Sequence, residues 1–194
     1  VMRMGVPVAA RNIFPSNIQG LPTWYEVRIT EAGYLGRRGG VDLMVAMNPQ
    51  TWDRDVAEIE SGGYLFYDST KPIPPSRFRE DITVIGVPLT AMCNEAYELP
   101  RERQLFKNTI YVGALAALLG IELDAIEGLL ADDFKGKDRL IKANVEALHM
   151  GHGYVQTHLA ALPLPVRHIA RDLLDPHLDR PALVAALRRR RTEV

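Results

Sequence analysis

The polar side chains that could do chemistry follow three predicted strands, at the point where each strand ends. Asn48 follows the apolar run VDLMVAM, residues 68–70 (Asp-Ser-Thr) follow YLFY, and residues 89–94 follow ITVIGVP. Ligands of open α/β sheets bind where parallel strands end, so these positions are candidate binding residues. Each also has a structural explanation, because Asn48 would cap a helix and residues 68–70 would begin a loop.

A cysteine nucleophile is the next candidate. Cys93 lies just past the third strand, where a nucleophile could sit. A lone cysteine is more often a small buried apolar residue. The chain has histidines to activate it, but all five fall in the C-terminal part, at His149, His152, His158, His168 and His177. We therefore predict a core position for Cys93 and keep a Cys93-dependent hydrolase only as a distant alternative.

The histidine pair and the arginine run also have ordinary explanations. His149 and His152 are three residues apart, a spacing that could place two imidazoles on one helix face to bind a metal. Gly151 and Gly153 argue against a regular helix there, so we predict a helix terminus with solvated histidines. Arg188–Arg191 could hold a phosphate, but cations at a helix C-terminus are the simpler interpretation.

Motifs for independent catalysis are missing from the sequence. It contains no Gly-x-Gly-x-x-Gly and no Walker loop, so no glycine motif indicates nucleotide binding. No paired carboxylates or Ser-His-Asp set stands out. We predict that this chain has no catalytic residues and no metal site of its own.

Length and composition favour one globular domain. The chain has 194 residues, 47% of them hydrophobic, and its 23 basic and 24 acidic residues nearly cancel. This balance gives no reason to expect nucleic acid or a membrane surface as a partner. The single cysteine excludes an internal disulfide and a cysteine-ligated cluster, and it suits a reducing cytoplasm. With no apolar run near the roughly 20 residues of a membrane span and no signal-peptide pattern, we expect a soluble, cytoplasmic protein.

The pattern of apolar residues predicts an α/β fold. Residues 23–30 alternate, VDLMVAMN predicts a strand in the middle of a sheet, and a helix beginning near Asn48 is expected to stop at residues 61–63. YLFYDS and ITVIGVPL add two more strands, and helices follow from Leu99. We predict a Rossmann-like, mostly parallel sheet with helices on both faces and a helical C-terminal part. The predicted domain covers residues 1–158, and residues 159–194 are predicted to be a linker with short helices.

An irregular loop, PSNIQG, interrupts the strand-like residues near the N-terminus. Ser16, Asn17 and Gln19 offer side-chain hydrogen bonds, and the backbone around Gly20 offers N–H groups. Arg28 lies on the more polar face of the strand that follows. The loop therefore predicts contact with a polar ligand or with a facing domain.

Three segments resemble the gamma domain of the 2-oxoacid:ferredoxin oxidoreductases. They are RNIFPSNIQGLPTWYEVRIT, GRRGGVDLMVAMNPQTWDRDVAEIESGGYLFYDST and NTIYVGALAALLGIELDAI, in collinear order. The sequence is most similar to the N-terminal domain of the alpha subunit of the 2-oxoglutarate:acceptor enzymes. The family opens with a strand and a glycine-rich turn, and we expect this chain to begin after the place where they stand.

The resemblance implies a component of a larger enzyme. Such enzymes oxidatively decarboxylate a 2-oxoacid on thiamine diphosphate, pass electrons through an iron–sulfur cluster to ferredoxin, and release an acyl-coenzyme A. The resemblance places thiamine diphosphate and the cluster in partner domains or subunits, against which the gamma domain packs.

The role of the loop within such an enzyme is left open by the sequence. In related enzymes the gamma domain helps to hold coenzyme A, which makes Ser16, Asn17, Gln19, Gly20, Arg28 and Asn48 the candidate cofactor-binding residues. For the loop itself we expect contact with a partner domain in preference to coenzyme A. The alternative is a free-standing Rossmann-like module that binds an adenine-containing coenzyme.

Overall fold

The computed structural model describes residues 1–14, 21–30, 36 and 39–160. A two-stranded antiparallel hairpin is followed by a three-stranded parallel sheet and then by helices. The elements, in chain order, are β1 (Val8–Ile13), β2 (Trp24–Ile29), β3 (Val41–Ala46), α1 (Trp52–Ala57), β4 (Ile59–Asp68), β5 (Thr83–Val87), α2 (Leu89–Ala96), α3 (Pro100–Leu119), α4 (Leu123–Asp133) and α5 (Asp138–His158). The predicted linker and short helices of 159–194 fall almost wholly outside the described residues.

The parallel sheet has the strand order β3-β4-β5 and carries helices on both faces. Successive residues of β4 point to opposite sides, so Leu65 packs with Trp52 and Val56 of α1, while Phe66 packs with Phe106 and Leu118 of α3. Leu65 and Phe66 are both fully buried, which marks β4 as the centre of the domain. The predicted α/β class, with a parallel sheet between helical layers, is confirmed.

Two predictions about this sheet are wrong. The strand VDLMVA is β3, which lies at an edge of the described sheet, whereas β4 lies in the middle. The helix predicted to reach residues 61–63 ends at Ala57, and β4 already begins at Ile59. Gly62 has a φ of 80°, and the pairing with β3 shifts register near this point. Gly62 and Gly63 therefore form a bulge inside β4 and do not end a helix.

The helical layer is built on close contact between α3 and α5. Gly113 of α3 and Gly151 of α5 are buried at the crossing. A Cβ added at Gly113 would lie 1.9 Å from the carbonyl oxygen of Leu148, and one added at Gly151 would lie 1.9 Å from that of Ile110. These two glycines thus permit the close approach of α3 and α5. The prediction of a helix end near Gly151 is wrong, since α5 continues to His158.

The hairpin forms a separate small sheet. β1 and β2 pair with each other, in the register Val8–Ile29 to Ile13–Trp24, and with no other described strand. The predicted strand at residues 23–30 is confirmed as β2, whereas α2 had no counterpart in the predictions. No helix among the described residues has the length and apolar character needed to cross a lipid bilayer.

Candidate functional site

The end of the central strand holds a compact polar cluster, formed by Asp68, Thr70, Thr90 and Lys107 and called here the strand-end cluster. Asp68 Oδ1 accepts hydrogen bonds from the Thr70 hydroxyl at 2.7 Å and from the Thr90 amide at 3.3 Å. Asp68 Oδ2 accepts from the Thr90 hydroxyl and lies 2.6 Å from Lys107 Nζ. Lys107 also donates to Thr90 Oγ1 at 2.7 Å. The predicted proximity of residues following β4 and β5 is therefore observed.

These contacts keep Asp68 ionised. Burial would raise the pKa of its carboxyl group, but the hydrogen bonds from Lys107, Thr90 and Thr70 together hold that pKa far below its usual range. A carboxylate with every oxygen engaged and a strongly lowered pKa is a poor general base at neutral pH. The cluster is therefore suited to fixing structure rather than to proton transfer.

The same cluster occupies the N-terminus of α2. The Thr90 amide is bonded to Asp68, and the Ala91 amide donates to Thr70 Oγ1 at 2.9 Å. Free amides at a helix N-terminus would attract a phosphate group, but here a carboxylate and a hydroxyl of the same chain already satisfy them. This strand end thus lacks the open phosphate cradle of a nucleotide-binding sheet.

Asn48, the candidate that follows β3, shapes the start of α1. Its Oδ1 accepts the Gln50 amide at 3.0 Å, and its carbonyl oxygen accepts the Thr51 amide at 3.2 Å, with the Thr51 hydroxyl oxygen 3.1 Å away. Thr51 is the residue that precedes the first helical turn. Asn48 therefore forms a turn just before the helix and is not the helix cap predicted from the sequence, since the cap position is held by Thr51, three residues later.

Asp55 is the functional candidate that the sequence analysis missed. It lies on α1 with only 3% of its surface exposed. Its Oδ2 accepts the Thr51 hydroxyl at 2.6 Å, and its Oδ1 accepts the indole N–H of Trp24 at 2.7 Å. The signal available in the sequence was a threonine four residues before an aspartate, a spacing that brings two helix positions together. Its partner on β2 could not be inferred from that spacing.

The hairpin therefore faces the rest of the domain with its more polar side. Residues directly opposite in an antiparallel pair share a face, and Arg11 and Glu26 form such a pair with an ion pair of 3.2 Å. Trp24 and Arg28 belong to this inner hairpin face. Arg28, one of the candidates, donates a hydrogen bond to the carbonyl oxygen of Gly36 and so ties β2 to the chain that follows it.

The opposite side, called here the outer hairpin face, carries no charged residue. Tyr25, Val27 and Ile29 of β2 are 66%, 46% and 37% exposed. The register places them opposite Asn12, Ala10 and Val8 respectively. A two-stranded hairpin that turns its apolar side to solvent is unusual, because sheets normally bury that side. Exposed apolar patches of this kind mark sites of interaction with another protein or domain.

Of the loop candidates, the arginine run and Cys93, only Cys93 falls among the described residues. Ser16, Asn17, Gln19 and Gly20 lie outside the described residues, as do Arg188–Arg191. Cys93 is 1% exposed, and burial raises the pKa of its thiol, with the Asp68 charge acting in the same direction and Lys107 opposing it. A buried thiol with a raised pKa is a poor nucleophile. The predicted core position of Cys93 is confirmed.

The histidine pair lies in the middle of α5. His149 Nε2 is 2.7 Å from Glu127 Oε1 of α4. Burial lowers the pKa of His152, and His149 adds to this effect. Within the described ranges, no group of three or more histidine, cysteine, aspartate or glutamate side chains is arranged to hold a metal ion. The His149–Glu127 contact links two helices.

Comparison with known families decides where this fold belongs. Residues 1–154 match the family described as pyruvate ferredoxin/flavodoxin oxidoreductase. The chain belongs to this family. The resemblance noted in the sequence is confirmed, over nearly the whole of the predicted domain.

Curated relatives in this family are subunits of larger enzymes. Subunit KorA of the 2-oxoglutarate oxidoreductase of Mycobacterium tuberculosis is 25% identical over 151 aligned residues, covering 69% of this chain and 23% of that protein. Subunit VorA of the ketoisovalerate oxidoreductase of Methanothermobacter marburgensis is 28% identical, covering 61% and 24%. This chain thus spans about a quarter of the length of these relatives.

Two solved structures share the fold. The 2-oxoglutarate:ferredoxin oxidoreductase of Magnetococcus marinus, solved with 2-oxoglutarate, coenzyme A and succinyl-CoA bound, superimposes with a TM-score of 0.72 at 24% identity. The match covers 87% of this chain and 29% of that one. The gamma subunit of a keto/oxoacid ferredoxin oxidoreductase of Geobacter sulfurreducens gives 0.59 at 19% identity, with coverage of 80% and 84%. At these identities the likeness establishes the fold.

A short stretch of the chain has a different relative. Over 35 residues, 18% of this chain, it is 63% identical to the formamidopyrimidine-DNA glycosylase of Salinispora arenicola. The stretch represents 12% of that enzyme. A segment of this size contains no domain, so it supports no DNA-repair function for the chain.

Proposed function

We propose that this chain is the gamma-type component of a 2-oxoacid:ferredoxin oxidoreductase. The enzyme would oxidatively decarboxylate a 2-oxoacid, 2-oxoglutarate or a similar acid, to an acyl-coenzyme A. The observation that carries the proposal is the outer hairpin face, an exposed and uncharged sheet surface on a chain of this family. The role of this chain would be to pack, through the outer hairpin face, against the thiamine-binding domains.

The occupant of this face is proposed to be a thiamine-binding domain of the same enzyme. The relatives KorA and VorA are about four times longer than the part that this chain matches. Each therefore has further residues that can form a domain packed against this face. The face presents aliphatic side chains and Tyr25 without a charge, and its complement is therefore an apolar surface with few charged groups. Tyrosine is enriched in interfaces because its ring packs while its hydroxyl stays wet.

The redox cofactors are proposed to lie outside this chain. An iron–sulfur cluster is held by several cysteine thiolates, whereas this sequence has one cysteine, which is buried. The residues present therefore do not fit a cluster. We also propose that thiamine diphosphate binds to the partner domains and that ferredoxin binds to the whole enzyme.

Coenzyme A contact is the second part of the proposal. The strand-end cluster fills the helix terminus that could have held a phosphate, so this edge does not favour coenzyme binding by the isolated domain. Arg28 and Asn48 each make a hydrogen bond that holds backbone in place. We therefore propose that residues 16–20, and not the strand-end cluster, are the part of the chain that contacts coenzyme A in the assembled enzyme. For the same reason a free-standing module for an adenine-containing coenzyme is the weaker alternative.

Co-purification of the tagged chain with co-expressed thiamine-binding partner chains tests the proposal. We expect a stable complex that contains thiamine diphosphate and iron and reduces viologen dye when a 2-oxoacid and coenzyme A are present. In a separate calorimetric titration, coenzyme A added to the isolated chain should give no heat of binding. Heat in that titration together with failure to form a complex would favour the free-standing module instead.

A further inference from the structure

A part-buried polar contact on the inner face joins the hairpin to the rest of the domain. The indole N–H of Trp24 donates to Asp55 Oδ1 at 2.7 Å, and the guanidinium carbon of Arg54 lies 4.0 Å from the centre of the same ring. Two adjacent residues of α1, Arg54 and Asp55, thus contact the Trp24 ring. The cation–π contact and the hydrogen bond together fix the position of this side chain.

Asp55 is suited to fix an orientation because its carboxylate is buried. At 3% exposure it must have partners for both oxygens, since a buried unpaired carboxylate is costly. Thr51 supplies one of them and Trp24 the other. The Thr51 hydroxyl donates to Asp55 and the Thr51 amide donates to the carbonyl oxygen of Asn48 at 3.2 Å, so the contacts run from the segment after β3 to the hairpin.

The orientation fixed in this way decides which face of the hairpin is free. Neighbouring residues of a strand point to opposite sides, so a Trp24 side chain held against α1 turns Tyr25 outward. Val27 and Ile29 share the side of Tyr25 and are exposed with it. Loss of the Trp24 contact would let the hairpin bury this apolar side against its own domain.

We propose that Asp55 is a positioning residue for assembly, which holds the outer hairpin face outward for a thiamine-binding domain. This inference rests on the proposed function, because the partner is the one proposed there. Asp55 itself does not touch the partner. It acts through Trp24.

Four variants test the proposal. Asp55→Ala removes both acceptors, and Trp24→Phe removes only the N–H while keeping a ring for Arg54. Asp55→Asn is the conservative variant, because its amide oxygen can accept from Trp24 while its NH₂ group donates to Thr51 Oγ1. Asp53→Asn is the matched control on the same helix, where the side chain is 88% exposed.

The measurements are the dissociation constant for the co-expressed thiamine-binding partner chains and hydrogen exchange of the β1 and β2 amides. Asp55→Ala and Trp24→Phe should weaken binding about tenfold or more, and should speed hairpin exchange without changing exchange in α3 and α5. Asp55→Asn should weaken binding by less than about threefold, and Asp53→Asn should leave it unchanged.

Two results would overturn the proposal. One is unchanged hairpin exchange in Trp24→Phe, a variant that remains informative even when Asp55→Ala fails to fold. The other is full-strength partner binding by folded variants whose hairpin exchange has increased. Failure of the unmodified chain to bind any thiamine-binding partner would instead remove the proposed function, while hairpin exchange would still decide whether Asp55 fixes the hairpin.

Discussion

Replacing Gly151 by alanine should destabilise the protein, although helix propensity alone predicts the opposite. A helix-interior glycine costs about 1 kcal/mol relative to alanine, so an unobstructed Gly→Ala change stabilises. At Gly151 the new Cβ would lie 1.9 Å from the carbonyl oxygen of Ile110 and 3.0 Å from the amide nitrogen of Ala114. These are backbone atoms, which cannot rotate away as the end of a flexible side chain can.

The size of the effect follows from the displacement that the clash requires. A Cβ contact needs at least 3.0 Å, so the helices must separate by at least 1.1 Å (3.0 minus 1.9) at this point. The atoms around the crossing are fully buried, with Ile110, Ala114 and Leu148 each 0% exposed. A gap of this size forfeits about a quarter to a half of each affected van der Waals contact. We expect a net loss of about 2 kcal/mol or more, typical of an overpacked core.

Gly153→Ala is the matched control. It lies two residues further along α5, and a Cβ there would meet nothing within 4 Å. It should therefore stabilise the protein by about 0.5–1 kcal/mol. Urea unfolding followed by circular dichroism measures both variants, and with a slope of about 2 kcal/mol per molar urea, the Gly151 variant should unfold about 1 M earlier than the unmodified protein. Equal stabilisation by both changes would refute the close contact of α3 and α5.

Two further substitutions and one labelling experiment test separate parts of the molecule. Asp68→Asn should lower the free energy of unfolding at neutral pH by about 2 kcal/mol, because a charged hydrogen-bonded network is lost. Since the pKa of Asp68 is lowered in the folded protein, its contribution to the free energy of unfolding is present above about pH 4 and is lost as the pH falls further. The stability of the variant should therefore fall less steeply with decreasing pH than that of the unmodified protein. Equal slopes for the two proteins would contradict this. Arg28→Ala should lower the free energy of unfolding by about 1 kcal/mol, because it removes the hydrogen bond from the inner hairpin face to the Gly36 carbonyl oxygen, and an unchanged urea midpoint would contradict that role. Cys93 should resist iodoacetamide in the folded protein and react in urea, and fast labelling without denaturant would disprove its burial.

Periodicity along the chain predicted most of the secondary structure. The long helices and the strands β2, β4 and β5 have regular apolar patterns, which depend only on nearby residues. The pattern failed at residues 61–63, because glycines end helices and also form strand bulges, and only the pairing with β3 distinguishes the two. It failed again at Gly151, whose packing partner, Ile110, is 41 positions earlier in the chain.

The candidate site was less predictable than the fold, for a similar reason. Asp68 and Thr90 could be placed together because parallel strands end at a common edge. The engagement of Asp68 by Lys107, which stops the carboxylate from serving as a base, depends on a helix whose position the sequence did not give. Asp55 carried only the weak signal of a threonine four residues earlier, since acidic residues in the first turn of a helix are ordinary.

The contacts around Asp55 also connect two of the segments that carry the family resemblance. The first segment contains Trp24 of β2, and the second contains Asn48, which follows β3. The path from one to the other runs through Asp55 and Thr51, by hydrogen bonds of 2.7 and 2.6 Å and the 3.2 Å bond from the Thr51 amide to the Asn48 carbonyl oxygen. A change at either end is thereby transmitted to the other, because both ends share the carboxylate of Asp55, which is buried. Substitutions at Trp24 and Asp55 should therefore have non-additive effects on partner binding, whereas those at Asp53 and Trp24 should simply add.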